Sequence, residues 1–173
     1  MTPQQGQWTR RGIILLTLVS LLLVNEGCGR KKRPNGLPDL RPCKITVTQN
    51  GQPAEGVLVM LAPVEGGTCP WAVTGHTDAN GTAVIMTHGE YRGAPEGHYK
   101  IFLSKQVIEG CDPASMERPS AKNPMYIYTT IEPQYTSLDT TPLTVQVGRR
   151  GARTTCDVGP AVHELLEKIT TGP

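Results

Sequence analysis

Along much of this chain, apolar and polar positions alternate in short bursts, each closed by a turn. Ile45 and Val47 alternate with Lys44, Thr46 and Thr48, which predicts a half-exposed first strand. Asn50-Gly51-Gln52-Pro53 turns the chain. Val57-Leu58-Val59-Met60-Leu61 then runs continuously apolar, as expected of a central strand covered on both faces. A shorter stretch spans 72–76. In Asp78-Ala79-Asn80-Gly81 the Asn-Gly pair suits the positive φ angles of a tight turn, and 82–87 is the return strand. Glu96-Gly97 leads into a strand over 99–104. Leu143, Val145 and Val147 alternate in the last clear strand, which ends at Gly148. Six or seven short strands at turn-marked intervals predict an all-β chain folded as a β-sandwich.

Two segments depart from that rhythm. The stretch 105–141 reads as a long irregular loop holding Cys111 and one isolated strand-like piece, Tyr126-Ile127-Tyr128-Thr129-Thr130-Ile131. A loop of that length inside a small domain is either functional or tied down. In the segment 159–173, Gly159-Pro160 precedes apolar residues at 162, 165, 166 and 169. Proline at the first position and that spacing predict a short amphipathic helix packed on the sandwich.

The amino-terminal part follows a different pattern. Arg10 and Arg11 precede an apolar run from Gly12 to Val24, too short to cross a bilayer and followed by Asn25-Glu26-Gly27-Cys28. A basic start and an apolar core of this length describe a signal peptide over 1–27, helical while it remains attached. Residues 28–42 carry Arg30, Lys31, Lys32 and Arg33 and several prolines, and read as a basic, extended linker. Those four cations after the run oppose the usual positive-inside bias; they are expected to be part of a solvated linker, with weak attraction to anionic headgroups as the alternative.

Composition narrows the function more than it defines it. In a chain of 173 residues, Gly 19 and Pro 15 favour turns over long helices, and a net charge of +2 gives no reason to expect a nucleic-acid partner. With Cys28 set aside, Cys43, Cys69, Cys111 and Cys156 form an even set in a small exported domain, which suggests two disulfides. Three connectivities are open. Pairing Cys43 with Cys156 would close the ends of the domain, leaving Cys69 with Cys111 to tie the long loop. No C-x2-C pair exists and His76, His88, His98 and His163 are scattered, so no metal or other cofactor is expected. There is no nucleophile elbow, zincin helix or phosphate loop.

The segments Asn50-Gly51-Gln52-Pro53-Ala54-Glu55-Gly56-Val57, Thr77-Asp78-Ala79-Asn80-Gly81-Thr82 and Gly93-Ala94-Pro95-Glu96-Gly97-His98-Tyr99-Lys100-Ile101 together resemble carboxypeptidase-regulatory-like domains. These are transthyretin-like (prealbumin-like) β-sandwiches common in short bacterial lipoproteins. The resemblance covers about 43–157 and implies a single sandwich of about seven strands over 43–158, in an exported location. Leu23 to Cys28 likewise resembles a lipobox, with Gly27 as its small residue, although Asn25 and Glu26 depart from the usual pattern. The expectation is a lipid-anchored, non-enzymatic envelope protein, attached to the membrane through Cys28 and facing away from the cytoplasm. It would serve as a structural or interaction module toward another envelope protein. The alternative is a glycan-binding module in which Trp71 and Tyr91 are the candidate contacts.

Overall fold

The computed structural model describes residues 33–64, 70–110, 119–120 and 122–170. The signal peptide, Cys28, Cys69 and Cys111 lie outside the described residues. The chain divides into two units, Met1–Gly36 and Leu37–Pro173, and the fold below is that of the second.

In chain order the strands are β1 (Leu40–Arg41), β2 (Cys43–Gln49), β3 (Gln52–Pro53), β4 (Leu58–Pro63), β5 (Val73–His76), β6 (Thr82–Val84), β7 (Met86–Thr87) and β8 (Tyr91–Arg92). They continue as β9 (Ala94–Pro95), β10 (Gly97–Ser104), β11 (Gln106–Gly110), β12 (Met125–Thr129), β13 (Thr144–Val147), β14 (Ala152–Asp157) and β15 (Glu164–Ile169). One turn of 3-10 helix, Pro133–Tyr135, is the only helical element among the described residues.

Two sheets enclose the core. One has six strands in the order β13-β10-β4-β5-β7-β8. The other is ordered β14-β2-β3, with β6 also on β2. Alternation supplies the inward residues: Ile45 and Val47 from β2, Val59 and Leu61 from β4, Ile101 and Leu103 from β10, and Val145 and Val147 from β13. The apolar run at 57–61 is therefore one-sided, because Leu58 and Met60 are only half-buried on the other face.

The predicted return strand at 82–87 divides between the sheets. β6 pairs with β2, whereas β7 pairs with β5 and β8. Ile85 stands at the crossing, fully buried, donating its N–H to the Cys43 carbonyl at 3.0 Å and accepting from Gly93 N at 2.8 Å. The turn before it forms as the sequence predicts. Asp78 Oδ1 accepts from Asn80 N and Thr82 N, both at 2.9 Å, and Gly81 at φ +69° has no room for a side chain against the Val47 carbonyl.

Three sequence expectations are corrected. Leu40–Arg41 is paired with Ala94–Pro95, so the linker gives way to structure before Pro42. The loop 105–141 opens with the unexpected strand β11, and the strand-like piece read at 126–131 is β12, paired with β11 over five residues rather than isolated. The segment after Gly159 forms strand β15 on β12, where a helix was expected. Together β11, β12 and β15 make a separate three-stranded sheet, an arm that continues β10 past the end of the sandwich. The unpredicted strand β14 runs parallel to β2 over six residue pairs. Its inward positions 154, 156 and 158 become more buried along the strand, while 153, 155 and 157 stay exposed.

Because Ile85 joins the two sheets, Ile85→Ala is expected to cost ~2–5 kcal/mol, read as a lower urea midpoint. Leu166→Ala on the exposed arm should stay within about 0.5 kcal/mol. Equal effects would mean that Ile85 does not join the sheets.

Candidate functional site

Cys43 and Cys156 were expected to pair. Both are free and buried. The parallel register explains why, since Cys43 lies opposite Ala152 and Cys156 opposite Val47. Four residues of strand separate them, ~13 Å, about twice the Cα span a disulfide tolerates. Burial pushes both thiols up to about 11, so they are protonated and unreactive at neutral pH.

Trp71 and Tyr91 lie on the same margin of the six-stranded sheet, both half-buried. Tyr91 is in β8, the edge strand. The Trp71 ring meets His88 edge-on, with centroids 5.0 Å apart, and His88 N donates to the Ala72 carbonyl at 2.7 Å. Trp71 thus packs against the β7–β8 turn. His76 ends β5, and His98 faces Gln146 across β10 and β13. Among the described residues no three metal-ligating side chains converge.

The arm holds the densest group of exposed apolar and aromatic side chains. Cross-strand partners share a face of a sheet. On one face Val107, Tyr128 and Leu165 form a row, followed by Glu109, Tyr126 and Lys168. His163 stacks on Tyr128 at 3.9 Å between centroids, and Tyr128 and Tyr126 are stacked at 6.3 Å. Lys168 Nζ lies 5.6 Å from the Tyr126 centroid, and His163 Nε2 is 3.0 Å from Glu109 Oε1. The opposite face carries Ile108, Ile127, Met125 and Ile169. Ile108 is 52% exposed, Leu165 50% and Leu166 52%. β11 and β15 are both edge strands, with backbone groups that an additional strand can pair.

The arm is fixed to the sandwich by a polar knot. Asp157 Oδ2 accepts from Thr48 Oγ1 at 2.8 Å and Gly51 N at 2.7 Å, and Oδ1 accepts from Gly159 N at 2.9 Å. Asn50 N donates to the Gly159 carbonyl, and Gln49 Nε2 donates to the Thr130 carbonyl at 2.9 Å. The hydrogen bonds from Gly159, Gly51 and Thr48 hold the Asp157 carboxyl below its ordinary range.

Apart from His163, weighed and set aside as a metal ligand, none of these arm residues was singled out from sequence except as part of a lone strand or a helix. The available signal was Gln106-Val107-Ile108-Glu109-Gly110, whose β-branched centre and terminal glycine describe an arriving strand.

Comparison with known proteins adds little to this geometry. No family model and no curated protein matches the chain. Among solved structures, the chain is similar to BcpA, the major pilin subunit of Bacillus cereus, at 16% identity and a TM-score of 0.40. The match covers 74% of this chain and 31% of the pilin chain.

Two predictions follow from this chemistry. Cys43 and Cys156 should resist alkylation in the native protein at neutral pH and react fully in denaturant, read by mass. Fast native labelling would mean that the sheet opens around them. The second concerns acid. A carboxyl held low in the fold stabilises it above the unfolded pKa of ~3.9 and loses that effect as pH falls through the folded value. Wild type should therefore exceed Asp157→Asn in urea midpoint at neutral pH, and the gap should close below about pH 4. A gap independent of pH would show that the carboxylate's charge is irrelevant to the knot.

Proposed function

We propose that this chain is an exported, lipid-anchored and non-enzymatic envelope protein that uses its β11-β12-β15 arm to bind another protein of the cell surface. The observation that carries the reading is the arm itself. It exposes Ile108, Leu165 and Leu166 at the end of the sandwich away from Leu40, where the chain enters the domain. Exposed apolar surface joined to open strand edges suits strand addition and side-chain docking. The sequence features at Gly12–Val24 and Cys28 support the anchor, and the resemblance to carboxypeptidase-regulatory-like domains supports a transthyretin-like sandwich. Glycan binding has less behind it, because, of its two candidate contacts, Trp71 packs against His88 and Tyr91 is half-buried.

Export and anchoring are tested by the intact mass of the chain from the membrane fraction, which should begin at Cys28 and carry acyl mass. Cys28→Ala should abolish both. The arm is tested separately by placing a photoreactive phenylalanine analogue at Ile108, Leu166 or Thr155 in living cells. Discrete protein adducts are expected from Ile108 and Leu166 and none from Thr155, which is exposed on the sandwich face. An arm that gives no adduct, or no more than Thr155, would remove it as the binding surface.

A further inference from the structure

Several exposed cations of the sandwich gather where the chain enters it. β2 begins at Cys43, directly after Pro42, and Lys44 is exposed. The parallel register places Arg153 beside Lys44 on the outer face. Gly148-Arg149-Arg150-Gly151 is a tight turn closed by Gly151 N donating to the Gly148 carbonyl at 2.8 Å, with Arg149 and Arg150 exposed at its tip. That turn is held against the entering chain. Ala152 N donates to the Pro42 carbonyl at 2.9 Å, and Gly151, at φ +91°, sits so close to this carbonyl that a side chain has no space.

Two adjoining clefts run between these cations and share Pro42 and Lys44. One, of about 330 Å³, lies between Leu40, Lys44, Val84 and Arg92. The other, of about 270 Å³, lies between Lys44, Arg150 and Arg153. Among the described residues Lys44, Arg92, Arg149, Arg150 and Arg153 form no ion pair, and the neighbouring Glu96 is engaged by Arg41 at 2.8 Å. Like charges side by side on a sheet destabilise it, so Lys44 and Arg153 repel in the free protein. An anion set between them removes that repulsion. The acidic groups of the arm, Glu109, Glu164 and Glu167, lie at the other end of the sandwich.

We infer that this end of the domain docks on the phosphate headgroups of an anionic membrane, with Lys44, Arg92, Arg150 and Arg153 as the contacts. The inference rests on the tethered reading of the N-terminus given above. Membrane is favoured over a soluble polyanion because the four-cation run Arg30-Lys31-Lys32-Arg33 lies in the sequence between the proposed tether at Cys28 and Lys44. A tether at Cys28 keeps the patch within reach of the bilayer through the linker, which raises the local concentration of headgroups. Docking holds the sandwich upright, with the arm ~45 Å away along the line of β10 and β11.

The test is lysine acetylation, read by mass, on the full chain purified from membranes and reconstituted in vesicles. One set is pure phosphatidylcholine and the other contains phosphatidylglycerol. Lys44 should be modified roughly fivefold more slowly or less on the anionic vesicles, while Lys168 on the arm reacts equally on both. The protection should vanish in ~1 M salt, where screening length falls to about 3 Å, and in the double variant Arg150→Glu with Arg153→Glu. Equal Lys44 rates on both vesicles, with the chain inserted in each, would overturn docking and leave the anchor intact. Failure to insert would instead refute the anchor. Protection by added polyphosphate on neutral vesicles, without protection by phosphatidylglycerol, would overturn the membrane in favour of a soluble polyanion.

Discussion

The parallel pairing of β14 with β2 is the constraint on which the rest of the molecule depends. Parallel strands begin at the same end of a sheet and must be joined by a crossover. Here nearly all of the domain lies between Gln49 and Ala152, so the six-stranded sheet is wound within that crossover. The register brings Ala152 to Cys43 and Asp157 to Thr48. At the first end it seats the Arg149-Arg150 turn on Pro42. At the other it delivers Asp157 to the knot that holds Thr48, Gly51 and Gly159. The same register keeps Cys43 and Cys156 apart, so the ends of the sandwich are closed by strand hydrogen bonds where a disulfide had been expected.

An axis follows from that pairing. The outer row of the smaller sheet is Arg153, Lys44 and Val84, the next is Thr155, Thr46 and Thr82, and Asp157 lies beside Thr48 beyond them. Charge therefore changes from positive to negative along the direction in which β2 and β14 run. β10, which starts just after the β1–β9 pairing, runs the same way and continues into β11. Both sheets thus point from the entry of the chain toward the arm. The proposed membrane face and the proposed partner face are opposite ends of the domain.

Most of the sandwich was legible in the sequence because its strands alternate and its turns carry their own chemistry. β2, β5, β10 and β13 and the Asp78-Ala79-Asn80-Gly81 turn fall where the pattern places them. β14 was not legible, since its inward residues Ala152, Thr154 and Cys156 are weakly apolar and its outward ones are Arg153, Thr155 and Asp157. Its burial comes from a neighbour more than a hundred residues away, which no local period reports. The short strands β1, β3, β8 and β9 are two residues each, below any period. The candidate contacts Trp71 and Tyr91 were chosen as aromatics, and packing on the β7–β8 turn rather than residue type decides what Trp71 does.

The segment 162–169 shows how a helical spacing arises in a strand. Between Ile127 and Tyr128 the pairing with β15 slips by one residue, so Leu165 faces Tyr128 and Lys168 faces Tyr126. A bulge places two residues against one, and residues three apart then share a face, as they do in a helix. A short isolated helix here would gain little in water, whereas β12 offers a row of backbone donors and acceptors that must be satisfied. Pairing wins on hydrogen bonds, and the apolar residues are then divided between two faces, Leu165 on one and Ile169 on the other. A sandwich strand has one apolar face because it covers one core. A strand apolar on both faces, at the edge of a sheet that covers no core, is the surface that the proposed partner would cover.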